Sequence, residues 1–316
     1  MKRFVGCLLL LVVTNLVHAQ SKKWVVAGDG SGDFLTVQAA VDAVPAANEK
    51  RIIIYLKKGV YKERLVIPKT VSNVAFVGED EQSTIITFDN YNAKKDSLGN
   101  AFGTSGSSSV FVDGDNISFE HIAFENSSGP VGQAVAVNVT GNKVAFKNCR
   151  FLGFQDTLYT KGSASLQYYK DCYIEGTVDF IFGAATALFE NCELRSKGKG
   201  GYVTAASTTE GSRFGYVFKK CKLVSDSPTE TFFLGRPWRP FAKTVFIDCE
   251  LGAHIKPEGW NNWSKLENEQ TTYYAEYHNS GPGADTSKRA AWSHQLTDEE
   301  AKQYTTANIL GDWKPF

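Results

Sequence analysis

Phe189-Glu190-Asn191-Cys192-Glu193-Leu194 recurs in altered form along most of the chain. Before it stand Tyr169-Lys170-Asp171-Cys172-Tyr173-Ile174 and Phe146-Lys147-Asn148-Cys149-Arg150-Phe151. After it come Phe218-Lys219-Lys220-Cys221-Lys222-Leu223 and Phe246-Ile247-Asp248-Cys249-Glu250-Leu251. An earlier unit, Phe119-Glu120-His121-Ile122-Ala123-Phe124, carries Ile122 in place of the cysteine. Each unit has an aromatic three residues before that position and an apolar residue two after it. The units return every 20 to 29 residues. A strand-length unit returning at that period is the signature of a solenoid. Short β-rich units separated by turn residues predict an all-β fold, a parallel β-helix, with the repeat running from residue 74 onward. Equivalent residues of successive coils then stack in columns about 4.8 Å apart. The cysteines are expected to form an interior ladder of small buried hydrophobes. Five of them follow residue 19, an odd number that a full disulfide framework would not give. No C-x-x-C pair occurs, so a zinc site is not expected.

Outward from the repeats, the ends read differently. Residues 1–19 hold Lys2 and Arg3, an apolar run from Leu8 to Val13, and the small-residue pattern Val17-His18-Ala19. This is the form of a secretory signal, with cleavage expected before Gln20 and export of the mature chain. The run is shorter than the ~20 apolar residues that span a bilayer, so no membrane anchor is expected. Lys23–Ala27 reads as a strand and Thr36–Val44 as a short helix ended by Pro45. Arg51–Leu56 is β-branched, and Gly59–Glu63 turns the chain into a strand through Ile67. Near the C-terminus Tyr273–Tyr277 reads as a last strand. Thr297-Asp298-Glu299-Glu300 has the form of a capping box, opening a helix towards Asn308 that packs outside the solenoid. With no linker in view, residues 20–316 are expected to be one catalytic domain.

The columns carry the chemistry. Asp156 lies seven residues after Cys149, and Asp179 seven after Cys172. Stacked cysteines would put the two aspartates at equivalent points of adjacent coils. Gln155 precedes Asp156. Gln133 is sixteen before Cys149, as Asp156 is before Cys172, so spacing places Gln133 in the column of Asp156. Arg236 is thirteen before Cys249, as Asp179 is before Cys192, with Thr208 in the coil between. Spacing thus places Arg236 in the column of Asp179. Asp179 sits in the apolar stretch Gly176-Thr177-Val178-Asp179-Phe180-Ile181-Phe182-Gly183, where an unpaired carboxylate would cost several kcal/mol, ~2–7 for a polar group and more for a charge. Arg236 would keep Asp179 ionised and leave Asp156 as the protonated partner. An ionised carboxylate is a nucleophile, a protonated one a general acid, and two glutamine amides are donors for an oxyanion. The set suits ester hydrolysis. A single aspartate would more often satisfy turn amides; five residues in register point to catalysis.

Other chemistries lack their residues. No G-x-S-x-G elbow occurs, and the histidines after residue 19 (His121, His254, His278 and His294) are scattered. Acidic and basic residues balance at 34 each, which gives no bulk charge for a nucleic-acid partner. Asn116, Asn126, Asn138 and Asn262 head N-x-[ST] triplets, relevant only in a eukaryotic secretory route.

At Gly59–Glu63, Gln133–Ala136, Gly153–Tyr159, Gly176–Gly183 and Leu234–Trp238 the sequence resembles the pectin methylesterases. The likeness runs from about Gly28 to Trp313. It implies a right-handed, single-stranded parallel β-helix of the pectin-lyase-like kind, with a short N-terminal and a C-terminal helix. It implies Asp179 as nucleophile on a galacturonate methyl ester and Asp156 as general acid, then base. It further implies Gln133 and Gln155 at the oxyanion and Arg236 orienting Asp179. Phe182, Trp238 and Trp260 would line the groove, with Thr104 a further substrate contact. Pectin is the implied partner. No metal or organic cofactor is implied, and the enzyme is expected to act as a monomer. With no inhibitor-like region ahead of the repeats, a bacterial or short-form member is expected. A polygalacturonase or pectate lyase, a related esterase or thioesterase, and a non-catalytic polysaccharide binder are the competing readings. The paired glutamines beside two aspartates argue against the first.

Overall fold

The structure, a computed structural model, describes residues 23–46 and 48–316. The proposed signal segment lies outside them. Among the described residues no helix is long and apolar enough to cross a membrane. The strands join into three parallel sheets of eleven, eight and seven strands, each complete coil giving one strand to each sheet in turn. This is a parallel β-helix. The repeat begins earlier than residue 74: Lys23–Val26 pairs with Ile52–Leu56, which pairs with Val74–Gly78. Gly59–Lys62 is itself a strand, in a different sheet from Leu65–Ile67. Between them Glu63 turns inward, its carboxylate accepting from the Val37 and Gln38 amides at the start of the helix Val37–Asp42.

The repeat unit has a physical explanation at each position. The aromatics three before the cysteine stack up the core. Phe76, Phe119, Phe146, Tyr169, Phe189, Phe218 and Phe246 lie with successive centroids 4.9, 4.9, 5.1, 4.5, 4.4 and 4.5 Å apart and nearly parallel rings. Each such pair contributes about 0.5–1.5 kcal/mol beyond its area burial. The residue just before the cysteine turns the corner. Asn148, Asp171, Asn191, Lys220 and Asp248 all have φ between 50° and 54°. Asn and Asp tolerate this left-handed conformation better than most side chains, which is why they recur there.

Cys149, Cys172, Cys192, Cys221 and Cys249 are buried and unbridged. Burial pushes the Cys149 thiol up to about 12. All five are enclosed in the core, where a reagent has no access, so these cysteines are expected to resist thiol reagents in the native protein and to react in denaturant. Rapid native labelling of most of them would overturn the interior ladder.

The C-terminal helix is two helices. Thr297 makes the expected capping box at Asp298–Ala301, but Thr305 caps a second helix, Thr306–Leu310. The Thr305 hydroxyl accepts from the Asn308 amide and opens the second helix. Ile309 and Leu310 pack on Ala145, Leu188 and Val217, on the outer face of the eleven-stranded sheet. Tyr273–Tyr277 is followed by one more short strand, His294–Gln295. Asn126 and Asn138 are buried, which removes two of the four triplets as glycan acceptors.

Candidate active site

The seven-stranded sheet carries the site on its outer face. Leu158–Thr160, Val178–Gly183, Gly201–Ala206 and Phe232–Pro237 are successive neighbours in it. Leu158 pairs with Ile181 and Tyr159 with Phe182, so Asp156 and Asp179 occupy equivalent points of adjacent coils. Both take left-handed backbone, φ 65° at Asp156 and 53° at Asp179. Against the next strand the register slips: Val178 faces Tyr202 but Ile181 faces Thr204. One extra residue is thus accommodated at Asp179-Phe180, a bulge of the kind that re-aims a side chain beside an active site. Gly183, at φ 127°, leaves the strand so close to Thr160 that a Cβ would lie 2.2 Å from the Thr160 carbonyl oxygen. Only glycine fits there.

Two columns differ from the expected ones. Gln133 bridges to Gln155, not Asp156, because that coil is one residue shorter than spacing to the cysteine implies. Arg236 pairs with Ala205, and Ala205 with Phe182. Arg236 therefore stands in the column of Phe182, and the residue between is Ala205, not Thr208. Turns of unequal length between this sheet and the next cysteine shift the count. Thr208 lies buried beyond the strand, its hydroxyl accepting from the Lys243 amide. The small Ala205 gives Arg236 room to reach back to Asp179.

It does so with both forks. Nε donates to Asp179 Oδ1 at 2.9 Å and Nη2 to Oδ2 at 2.7 Å. The guanidinium is itself held between two rings, 3.8 Å from Tyr202 and 3.6 Å from Trp263. Asp156 and Asp179 are only 4% and 6% exposed. Burial, then the charge of Asp179, pushes Asp156 up to about 8, against the pull of Gln133 and Arg236. Burial raises Asp179 too, and the hydrogen bond and charge of Arg236 oppose it. Asp156 is the protonated member at neutral pH and Asp179 the ion-paired one.

The cleft has a volume of about 390 Å³. Thr104, Gln133, Gln155, Phe182 and Trp238 line it beside the two aspartates and Arg236. Tyr159 stacks on Phe182 at 4.1 Å, and Trp238 meets both edge-on. Trp260 does not line it. Trp260 is 2% exposed, donates to Glu276 at 3.2 Å and packs on Tyr274. The buried carboxylate of Glu276 offers the indole N–H a partner, and that draws the ring into the core. Trp263, three residues on, stands in the cleft instead. Tyr159, Tyr202 and Trp263 are site residues that spacing did not single out; a polar loop with two tryptophans was the only signal for Trp263. Among the described residues no group of three or more His, Cys, Asp or Glu could hold a metal ion.

The geometry is that of a cleft with two stacked, buried aspartates on the outer face of a parallel β-helix. A family model described as Pectinesterase matches residues 23–312. Pectinesterase 31 of Arabidopsis thaliana is 42% identical over 285 residues, 88% of this chain and 89% of that protein. Pectin methylesterase from carrot superposes with a TM-score of 0.83 at 35% identity, over 92% of this chain and 94% of its own. A pectin methylesterase in complex with a hexasaccharide gives 0.84 at 32% identity, over 94% and 99%. The chain belongs to the pectinesterase family, and with it to the carboxylic ester hydrolases. Its solenoid is the right-handed parallel β-helix of those structures.

Proposed function

We propose that this protein hydrolyses galacturonate methyl esters of pectin through Asp179 and Asp156. The observation that carries this is the asymmetry of two buried, stacked aspartates, one clamped by Arg236 and the other held protonated. The Asp179 carboxylate attacks the ester carbonyl carbon. The Gln133 and Gln155 side-chain amides donate to the oxyanion of the tetrahedral intermediate. Asp156 gives its proton to the departing methoxy oxygen, and methanol leaves an acyl anhydride on Asp179. Asp156, now ionised, takes a proton from water, whose oxygen attacks the anhydride. The C–O bond to Asp179 breaks, so Asp179 is ionised again and Asp156 protonated again, and the sugar leaves as its carboxylic acid, which gives its proton to solvent. Arg236 orients Asp179 throughout. Phe182 and Trp238 offer faces to sugar rings, and Thr104 lies at the groove's edge. Residues 20–316 act as one catalytic domain and as a monomer, on pectin outside the cytoplasm; the basic, apolar and small-residue pattern of residues 1–19 supports export.

The test is methanol release from highly methylated pectin without chain shortening. Shortening without methanol would favour a glycosidase or lyase and overturn the proposal. The pH profile follows from the same site. Asp156 must carry its proton, so kcat/KM falls as pH rises through about 8. Asp179 must be ionised, so activity also falls as pH drops through its raised value. A rate that stays level from pH 7 to well above Asp156's value would remove Asp156 as the acid.

A further inference from the structure

Gln133 has a side chain that could present either end to the cleft. An amide turned the wrong way would aim its carbonyl oxygen at the oxyanion and repel it. In the structure one end is already occupied. Asn92 Nδ2 donates to Gln133 Oε1 at 3.0 Å, and Thr104 Oγ1 donates to the same oxygen at 2.9 Å. An amide oxygen has two lone pairs, and two donors fill them. The remaining end, Nε2, is left for the cleft that Gln133 and Asp156 both line, where Gln133 pulls Asp156 down.

The two donors come from one loop tied to the coil at its backbone. Asn92 N donates to the Gln133 carbonyl oxygen at 2.9 Å, and Gly103 N to the Asn92 carbonyl oxygen at 2.9 Å. That carries both ends of the loop, with Asn92 at one and Thr104 at the other, to Gln133. We propose that Asn92 and Thr104 are positioning residues that lock the Gln133 amide with its N–H groups toward the reacting ester. Thr104 then acts through Gln133 rather than as a sugar contact. The lock supplies preorganisation: donors aimed in advance need no reorganisation when charge develops. The proposal rests on the reading of Gln133 as an oxyanion donor.

Asn92→Asp tests it, since it keeps the shape but replaces the donor by an acceptor. The Gln133 amide should turn to donate to the new carboxylate, leaving its oxygen toward the cleft. Thr104→Val removes the hydroxyl at nearly constant volume, and Thr104→Ser restores it. With methylated pectin as substrate, kcat should fall roughly tenfold or more for Asn92→Asp and several-fold for Thr104→Val, with KM within about twofold. Thr104→Ser should recover most of the rate. The alkaline limb of the pH profile should move up in Asn92→Asp, because the Gln133 bond that lowers Asp156 is lost. Asp179, Arg236 and Tyr159 also face Asp156, and none of them is altered. Gln133→Ala runs alongside. If Gln133→Ala is impaired while Asn92→Asp and Thr104→Val stay within twofold of the parent in kcat, the lock is wrong and the oxyanion role stands. If Gln133→Ala is fully active, both fall. A raised KM with unchanged kcat in Thr104→Val makes Thr104 a substrate contact and overturns its positioning role. A lower melting temperature with an unmoved pH limb in Asn92→Asp makes the loop merely structural.

Discussion

Asp179→Asn is expected to lower kcat by at least about a hundredfold while the β-helix persists, as for the loss of a nucleophile. Asparagine keeps the size of the side chain, so the left-handed turn at φ 53° is retained. What it lacks is the negative charge and the nucleophilic oxygen. Asp156→Asn is expected to lose a similar factor, since a leaving methoxide without a proton donor is a poor leaving group. A folded variant of either kind with near-normal methanol release would sink the assignment.

The two variants should part company in stability. Asp156 is held near 8 in the fold against an ordinary 3.8. Above about pH 4 the unfolded chain gains by ionising Asp156, and the folded chain does not until the pH reaches about 8. Folding therefore loses stability across that window. Asp156→Asn removes the penalty and should be more stable than the parent at pH 7 by about 1 kcal/mol or more, with little difference at pH 3. Asp179→Asn instead gives up the partner of a guanidinium that is already enclosed by Tyr202 and Trp263. It should gain nothing at pH 7. Chemical denaturation at the two pH values checks this. Equal stability of Asp156→Asn and parent at pH 7 would contradict a protonated, strained Asp156.

Arg236→Lys is expected to reduce turnover roughly tenfold or more although the charge is kept. The two bonds to Asp179 use Nε and Nη2 of one planar fork, and an ammonium cannot reproduce that fork. Nor can it fill the slot between the Tyr202 and Trp263 rings as a flat group does. Asp179 would stay ionised but turn more freely, and a loosened nucleophile gives up part of its positional advantage. Arg236→Ala should be worse. Without the cation Asp179 rises further, so the acid limb of the pH profile should move upward. A lysine variant that matches the parent across the pH range would show that charge alone matters.

The fold was legible in the chain because a solenoid repeats its instructions. Aromatic, corner residue and cysteine recur in each coil, and each coil buries the same positions against the last. The pairing of Asp156 with Asp179 was legible for the same reason: the turns between them and their cysteines are equal in length. Counting failed where turn lengths differ. It misplaced Gln133 by one residue, and it set Thr208 where Ala205 stands beneath Arg236. Periodicity says which face a side chain occupies, and loop lengths are local accidents that no period constrains. The two tryptophans of one loop show the limit most clearly. Trp260 and Trp263 are chemically alike and three residues apart. Glu276 with its buried partner Arg289, brought there from later in the chain, takes the first into the core. Arg236, from an earlier coil, takes the second at the cleft. The sequence by itself determined the solenoid and the two stacked acids on its face. The tertiary structure decided which rings and amides meet them, because those contacts depend on where unequal turns bring distant coils into register.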